Sequence, residues 1–220
     1  MHGKGTKKGA GRPLPKGARH APHTYDRLAA RYDRAMRPLE EWLLARLRAA
    51  ALRELPAARS RILEVGAGTG ANFPFYPAGA CGAALELSRE MLKRARANGW
   101  RPPAFGLVRG RAEELPFADD AFDAGLATLV FCSVESPARA FSELRRVVRP
   151  GGRVVLLEHV RPEGLLGYAF DALSKLTVAL CDDHFNRRTA DEARRAGLSV
   201  LRVEPHWRGV FQIIVCRVER

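Results

Sequence analysis

The stretch Glu64-Val65-Gly66-Ala67-Gly68-Thr69-Gly70 holds the densest chemistry in the chain. Glycines at alternate positions let a backbone turn sharply and let a ligand approach main-chain atoms. The spacing is GxGxG, not the GxGxxG that holds a pyrophosphate, and this disfavours a nicotinamide-dependent oxidoreductase. No Lys-Ser or Lys-Thr pair follows, so the loop is not a phosphate-cradling P-loop. An acid, Glu64, opens the motif and suits a ligand that carries an amine and no phosphate. A second acid, Glu86, stands 16 residues beyond Gly70. At the end of a strand it can accept hydrogen bonds from both hydroxyls of a ribose.

Three further groups follow in order. Arg111-Ala112-Glu113-Glu114-Leu115-Pro116-Phe117 offers a backbone N–H and a side chain that could read an adenine edge. Phe122-Asp123 opens an apolar run that ends in Thr128–Ser133, and Arg149-Pro150-Gly151-Gly152 precedes another. His159, just past that last run, could serve as a general base or as a satisfied structural histidine.

These residues need elements to hold them. Tyr25 to Leu55 has helical periodicity, with Pro38 expected to split it in two. The spacing then predicts strands at Arg61–Val65, Ala83–Leu87, Phe105–Arg109, Ala124–Val130 and Val154–Glu158. Helices are expected at Arg89–Ala97, Pro137–Val148, 165–180 and Thr189–Ala196, with a short one around Ala112–Leu115. Arg149-Pro150-Gly151-Gly152 is read as a stop. Val200–Val203 and Val210–Val218 close the chain as an antiparallel hairpin. Strand–helix alternation of this kind implies an α/β fold, with a parallel sheet and helices on both faces. Ligands of such sheets sit at the carboxyl ends of the strands.

The chain has 220 residues, of which 46% are hydrophobic and 28% charged, which fits one ordinary globular domain. Its net charge is +13. Residues 1–23 contribute Lys4, Lys7, Lys8, Arg12, Lys16 and Arg19 and no acid, which leaves +7 for the rest. That segment reads as a flexible basic tail. It could be a solvated appendage, a contact to an anionic membrane surface, or a contact to nucleic acid. No base-stacking module accompanies it, so a dedicated nucleic-acid module is not expected. No run is long enough to cross a membrane as a helix, and no secretory signal opens the chain. The four cysteines, Cys81, Cys132, Cys181 and Cys216, form no CxxC pair and read as reduced thiols in a cytoplasmic protein. His184 with Asp182 and Asp183 lacks a further ligand, so no metal site is expected.

The five ordered motifs together resemble the class I S-adenosylmethionine-dependent methyltransferases over roughly residues 60–160. More narrowly they resemble the methyltransferase-domain group that includes the ubiquinone/menaquinone C-methyltransferases. The strings Gly68-Thr69-Gly70-Ala71-Asn72-Phe73-Pro74-Phe75-Tyr76-Pro77, Leu129-Val130-Phe131-Cys132-Ser133-Val134 and Glu158-His159-Val160 are similar to those of alkyl-thiol methyltransferases. They are also similar to those of bacterial phosphatidylethanolamine N-methyltransferases.

The resemblance implies a Rossmann-like seven-stranded, mostly parallel sheet with the antiparallel hairpin at its C-terminus. It implies a division into tail (1–23), helical lid (24–56) and cofactor domain (57–220). The implied cofactor is S-adenosyl-L-methionine, with S-adenosyl-L-homocysteine as product. By the same resemblance Glu64 orients the loop or the methionine amine, and Gly66, Ala67, Gly68 and Gly70 pass under the methionine moiety. Glu86 binds the ribose, while Leu87 and Met91 pack near the adenine. Ala112 and Glu113 meet the adenine edge, and Thr128, Leu129 and Val130 line the sulfonium side. Tyr32, in a lid-like Ala-Arg-Tyr-Asp string, lies over the cofactor.

Two positions depart from the pattern. Arg111 stands where many relatives have Asp, and Cys181-Asp182-Asp183 stands near a place where thiol-methylating relatives carry Asp-Gly-Cys. The expected acceptor is a small molecule or a lipid, in a cytoplasmic enzyme with peripheral membrane contact through the tail. The rival expectation is a non-catalytic scaffold that uses the tail on nucleic acid or membrane.

Overall fold

The computed structural model describes residues 26, 33–56, 59–160 and 187–219. Its seven strands are β1 (Arg61–Val65), β2 (Cys81–Glu86), β3 (Phe105–Arg109), β4 (Phe122–Thr128), β5 (Val148–His159), β6 (Leu198–His206) and β7 (Phe211–Val218). They form one sheet in the order β3-β2-β1-β4-β5-β7-β6. Every pairing from β3 to β5 is parallel, and β7 runs antiparallel to both neighbours. The mostly parallel sheet and the closing hairpin match the expected architecture. The order reverses between β1 and β4, which is where such sheets bind ligands.

Helices cover both faces. The helices α1 (Ala45–Leu52) and α2 (Arg89–Ala97) lie on one side, and α3 (Pro137–Val147) and α4 (Thr189–Arg195) on the other. Strand alternation divides the core between them. Leu63 and Val65 pack with Phe141 and Leu144, whereas Ile62 packs with Leu44, Leu47 and Ala51. In β4, Ala124 and Leu126 also turn toward α1. Glu64 and Thr128 share the parity of these residues, so two polar side chains are carried onto the α1 face.

Several local expectations are corrected. The chain stays helical through Pro38, so the expected split there is absent, and it widens into a π turn beyond it at Glu40–Leu44. Ala112–Leu115 is a turn, closed by a bridge between Arg111 and Glu114, because the Leu115 N–H goes to Glu143 Oε2 at 2.8 Å. The Arg149-Pro150-Gly151-Gly152 stop lies inside β5. Gly151, at φ +74°, lets the strand take an irregular step between its pairings with Phe122 and Ala124. The helix expected at 165–180 and Cys181 fall outside the described residues. Cys81 and Cys216 are free thiols.

Gly82 of β2 pairs with Ile62 of β1. It sits at φ +146°, and a Cβ there would lie 1.9 Å from the Ile62 carbonyl oxygen. Gly106, paired with Ala83 from β3, has no such crowding. Gly82→Ala is expected to lower unfolding free energy by about 3 kcal/mol or more in denaturant titration, because backbone must shift against backbone. Gly106→Ala should cost less than about 1 kcal/mol. Equal effects would contradict the close approach.

Candidate functional site

The Gly-rich loop leaves β1 at the switch point. Gly66, Gly68 and Gly70 all have positive φ, at 72°, 56° and 88°. Gly66 is needed for space as well, since a Cβ there would stand 2.3 Å from a Val130 methyl. A Cβ on Gly68 would meet nothing within 4 Å, so the crest of the loop is open. The Gly66 and Ala67 N–H groups both donate to the Leu85 carbonyl, which ties the loop to β2.

Beneath the loop lies a buried polar network. Glu64, 1% exposed, accepts from Asn72 Nδ2 and from the Tyr76 hydroxyl, each at 2.8 Å. Asn72 Nδ2 also donates to Thr128 Oγ1 at 2.8 Å. Arg48 on α1 enters from the helix side. Its Nη1 donates to Thr128 Oγ1 at 2.7 Å and Asn72 Oδ1 at 3.0 Å, and its Nε donates to Glu40 Oε1 at 2.8 Å. Glu64 thus ties the end of β1 to the segment that follows the loop. Burial pushes its carboxyl pKa up, against the Asn72 and Tyr76 hydrogen bonds that pull it down. Burial, with the Glu64 charge beside it, pushes the Tyr76 hydroxyl well above its ordinary range.

Glu86, at the end of β2, accepts from the Gly68 N–H at 2.9 Å and the Ser88 N–H at 2.7 Å, one on each carboxylate oxygen. Each oxygen keeps a further lone pair. Burial raises its pKa, and the backbone amides of Ser88, Gly68 and Leu87 oppose the shift. The Ser88 hydroxyl accepts from the Met91 N–H and so caps α2. That hydroxyl donates to Asp26 Oδ1 at 2.5 Å, which sets Asp26 beside the end of β2. Asp33 holds the other flank of the loop by accepting from Thr69 Oγ1 at 2.7 Å.

The remaining expected residues fall into two groups. Leu87 is half-buried and Met91 buried, both beyond Glu86. Leu129 and Val130 stand at the carboxyl end of β4. Leu129 holds φ +58°, a strained value for a leucine, while its N–H donates to the Leu157 carbonyl at 2.7 Å. The buried Glu158 accepts the N–H groups of Val130 and Phe131, which fixes this turn.

Thr128, by contrast, turns its hydroxyl into the network below the loop. The Glu113 carboxylate goes to the Glu135 and Ser136 N–H groups at the start of α3 and pairs with Arg111 at 3.5 Å. Arg111 also pairs with Glu135. An adenine-reading role there is thus left to the backbone of Ala112 and Glu113. His159 is buried at the carboxyl end of β5, opposite Phe211 of β7. Tyr32 lies outside the described residues.

A cleft of about 540 Å³ runs along the outer flank of the loop, between residues 33–41 and the end of α2. Thr69 and Ala71 form its loop wall, and Asp33, Glu40, Arg37, Arg48 and Arg94 give it charges of both signs. The sequence reading missed Arg48, Asn72 and Tyr76. Arg48 had a visible signal, because it interrupts the apolar stripe Leu44, Leu47, Ala51, Leu52 on one helical face.

The comparisons come from proteins of known type. Residues 63–156 match the methyltransferase domain family. The phosphatidylethanolamine N-methyltransferase of Cereibacter sphaeroides is 37% identical over 138 residues, which cover 60% of this chain and 68% of that one. The thiol S-methyltransferase TMT1B of Mus musculus is 32% identical over 150 residues, covering 65% of this chain and 62% of its own length. The chain thus spans about two thirds of these relatives. Among solved structures, a SAM-dependent methyltransferase of Thermotoga maritima superposes with a TM-score of 0.71 over 90% of this chain and 99% of its own, at 24% identity. That likeness bears on the fold.

The buried Glu64 carboxyl carries a pH signature. Its pKa is raised on folding, so its contribution to stability is full below the ordinary carboxylate pKa of about 4.3 and is lost as pH rises through the raised value. The unfolding free energy of the wild type minus that of Glu64→Gln is expected to fall between pH about 4 and neutrality. A difference that rises over this range would contradict the dominance of burial.

Proposed function

This chain belongs to the S-adenosylmethionine-dependent methyltransferases, and on that footing we propose that it methylates a small or lipid-borne nucleophile (a thiol, an amine or a carbon). The family match removes the ground for a non-catalytic scaffold. S-Adenosylmethionine is the cofactor of the family, and the loop suits it on its own terms. The Gly68 crest is open, and the Glu86 carboxylate stands beside it with lone pairs to spare for ribose hydroxyls. That pairing of an open positive-φ loop with a strand-end carboxylate is the observation that carries the reading.

In this reading Gly66, Ala67, Gly68 and Gly70 carry the methionine part, and Glu86 holds the ribose. Leu87 and Met91 pack beside the adenine, which meets the backbone of Ala112 and Glu113. The mixed charges of the cleft, with Arg48 at its base, suit a zwitterionic amino-acid end. Leu129 and Val130 lie where the sulfur would be approached. When bound, the cofactor supplies an electrophilic methyl group on a cationic sulfur.

The protein's share is then positioning. Holding the acceptor in line removes much of the entropic barrier. Val130 packs against the Gly66 backbone, and its own N–H is held by Glu158, so the wall facing the reaction cannot drift. His159 is the residue we assign to remove an acceptor proton where one must be lost. The names of the two relatives above support thiol and lipid-amine acceptors as the first to test.

Glu86→Ala is expected to weaken S-adenosylhomocysteine binding by about 1.5–3 kcal/mol in calorimetry, the range for hydrogen bonds to a charged group. An unchanged dissociation constant would sink the ribose assignment. The acceptor is tested by label transfer from methyl-labelled cofactor to an alkyl thiol, phosphatidylethanolamine and a quinone precursor. Transfer to none of these would overturn the acceptor reading and leave the cofactor site standing.

A further inference from the structure

Two large aromatic side chains are exposed on the active-site edge of the sheet. Trp42, 58% exposed, lies in the π turn of the lid helix, and Trp207, 50% exposed, lies in the β6–β7 turn. Their rings meet edge to face at 6.0 Å, and Trp207 leans on Phe211 at 6.1 Å. The turn is strained. Trp207 and Arg208 both hold positive φ, at 43° and 58°, before Gly209 at 83°. Non-glycine residues in that region persist only where something holds them there. Here the strain presents a tryptophan and an arginine outward.

The position of this rim matters. Phe211 pairs with His159 across β5 and β7, and His206 pairs with Phe211 across β6 and β7. The aromatic rim therefore borders the carboxyl ends of the strands, where the acceptor is expected. Trp100, 72% exposed, lies far from it, on the connection into the amino end of β3.

We propose that Trp42 and Trp207, flanked by Arg46 and Arg208, seat the enzyme on an anionic lipid surface and turn the mouth of its site toward the bilayer. Indole rings favour the membrane interface, where an apolar body meets a polar edge, and arginines beside them face anionic headgroups. Arg46 and Arg208 are exposed and form no ion pair with another described residue. The net charge of +13 supplies the complementary field. A second copy of the chain fits the rim less well. The two exposed indoles offer on the order of 250 Å², against roughly 800 Å² on each partner in a stable protein interface. The inference rests on the acceptor reading above, since a seated site is served by a lipid or by a molecule dissolved in the bilayer.

The test uses the full chain with vesicles of phosphatidylcholine and phosphatidylglycerol at 3:1, and with phosphatidylcholine alone. The wild type should sediment with the anionic vesicles, and brominated lipid should quench its tryptophan emission. In Trp42→Ala/Trp207→Ala the partition should fall at least tenfold, and the remaining Trp100 should answer only to an aqueous quencher. Arg208→Glu, a milder surface change, should also weaken binding to anionic vesicles. S-Adenosylhomocysteine affinity, measured on the same samples, should be unchanged in every variant, so that loss of the lipid seat and loss of the cofactor reading are told apart. Vesicle binding that is absent in the wild type would overturn the proposal. So would binding equal in the double variant, or a double variant that loses self-association and keeps vesicle binding.

Discussion

A guanidinium taken out of water must find acceptors, and Arg48 is buried between α1 and the sheet. Its neighbours are set by that need. Glu40 supplies a carboxylate from the lid helix, Thr128 a hydroxyl from the end of β4, and Asn72 an amide oxygen from the segment after the Gly-rich loop. Asn72 then spends its amide hydrogens on Glu64 and Thr128, and Tyr76 closes the second Glu64 oxygen. Breaking a buried set of this kind leaves an uncompensated charge, at a cost of about 3–5 kcal/mol. One constraint thus ties the lid helix, β1, β4 and the floor of the loop together.

Strand alternation makes this possible. Ile62 and Glu64 point to the α1 face, as do Ala124, Leu126 and Thr128, and the parallel register sets Glu64 beside Leu126. The apolar members build the core under α1, and the polar members come out at the top of it. Above them the loop is free to present its open side. On the far face Glu158 performs a matching task, holding the Val130 and Phe131 amides so that the strained Leu129 turn keeps its shape. The loop edge and the β4 turn are therefore held from both faces by buried carboxylates.

The fold was legible because its signals are periodic and local. Apolar runs of strand length alternating with amphipathic helices are enough to call a parallel sheet, and Gly66 to Gly70 mark their own turn. The misreadings came where tertiary contacts override local signals. The helix continues through Pro38, and Gly151 folds a stop signal into an irregular step within β5. Glu113 looked like a ligand contact, yet its carboxylate is taken by amides more than 20 residues away, at Glu135 and Ser136. Asn72 and Tyr76 carried no signal of their own, since their partners are distant in sequence and only the register brings them together. Arg48 was the exception, a charge within an apolar stripe.

We propose that the cofactor sits on the loop between Glu64 and Glu86, against the Leu129–Val130 turn. Hydrogen–deuterium exchange of the full chain, with and without S-adenosylhomocysteine, tests it most directly. The product should slow exchange of the amides at 66–70, 86–88 and 128–131, with the far hairpin of β6 and β7 little changed. Protection confined to other segments, or none at the loop under saturating product, would contradict it.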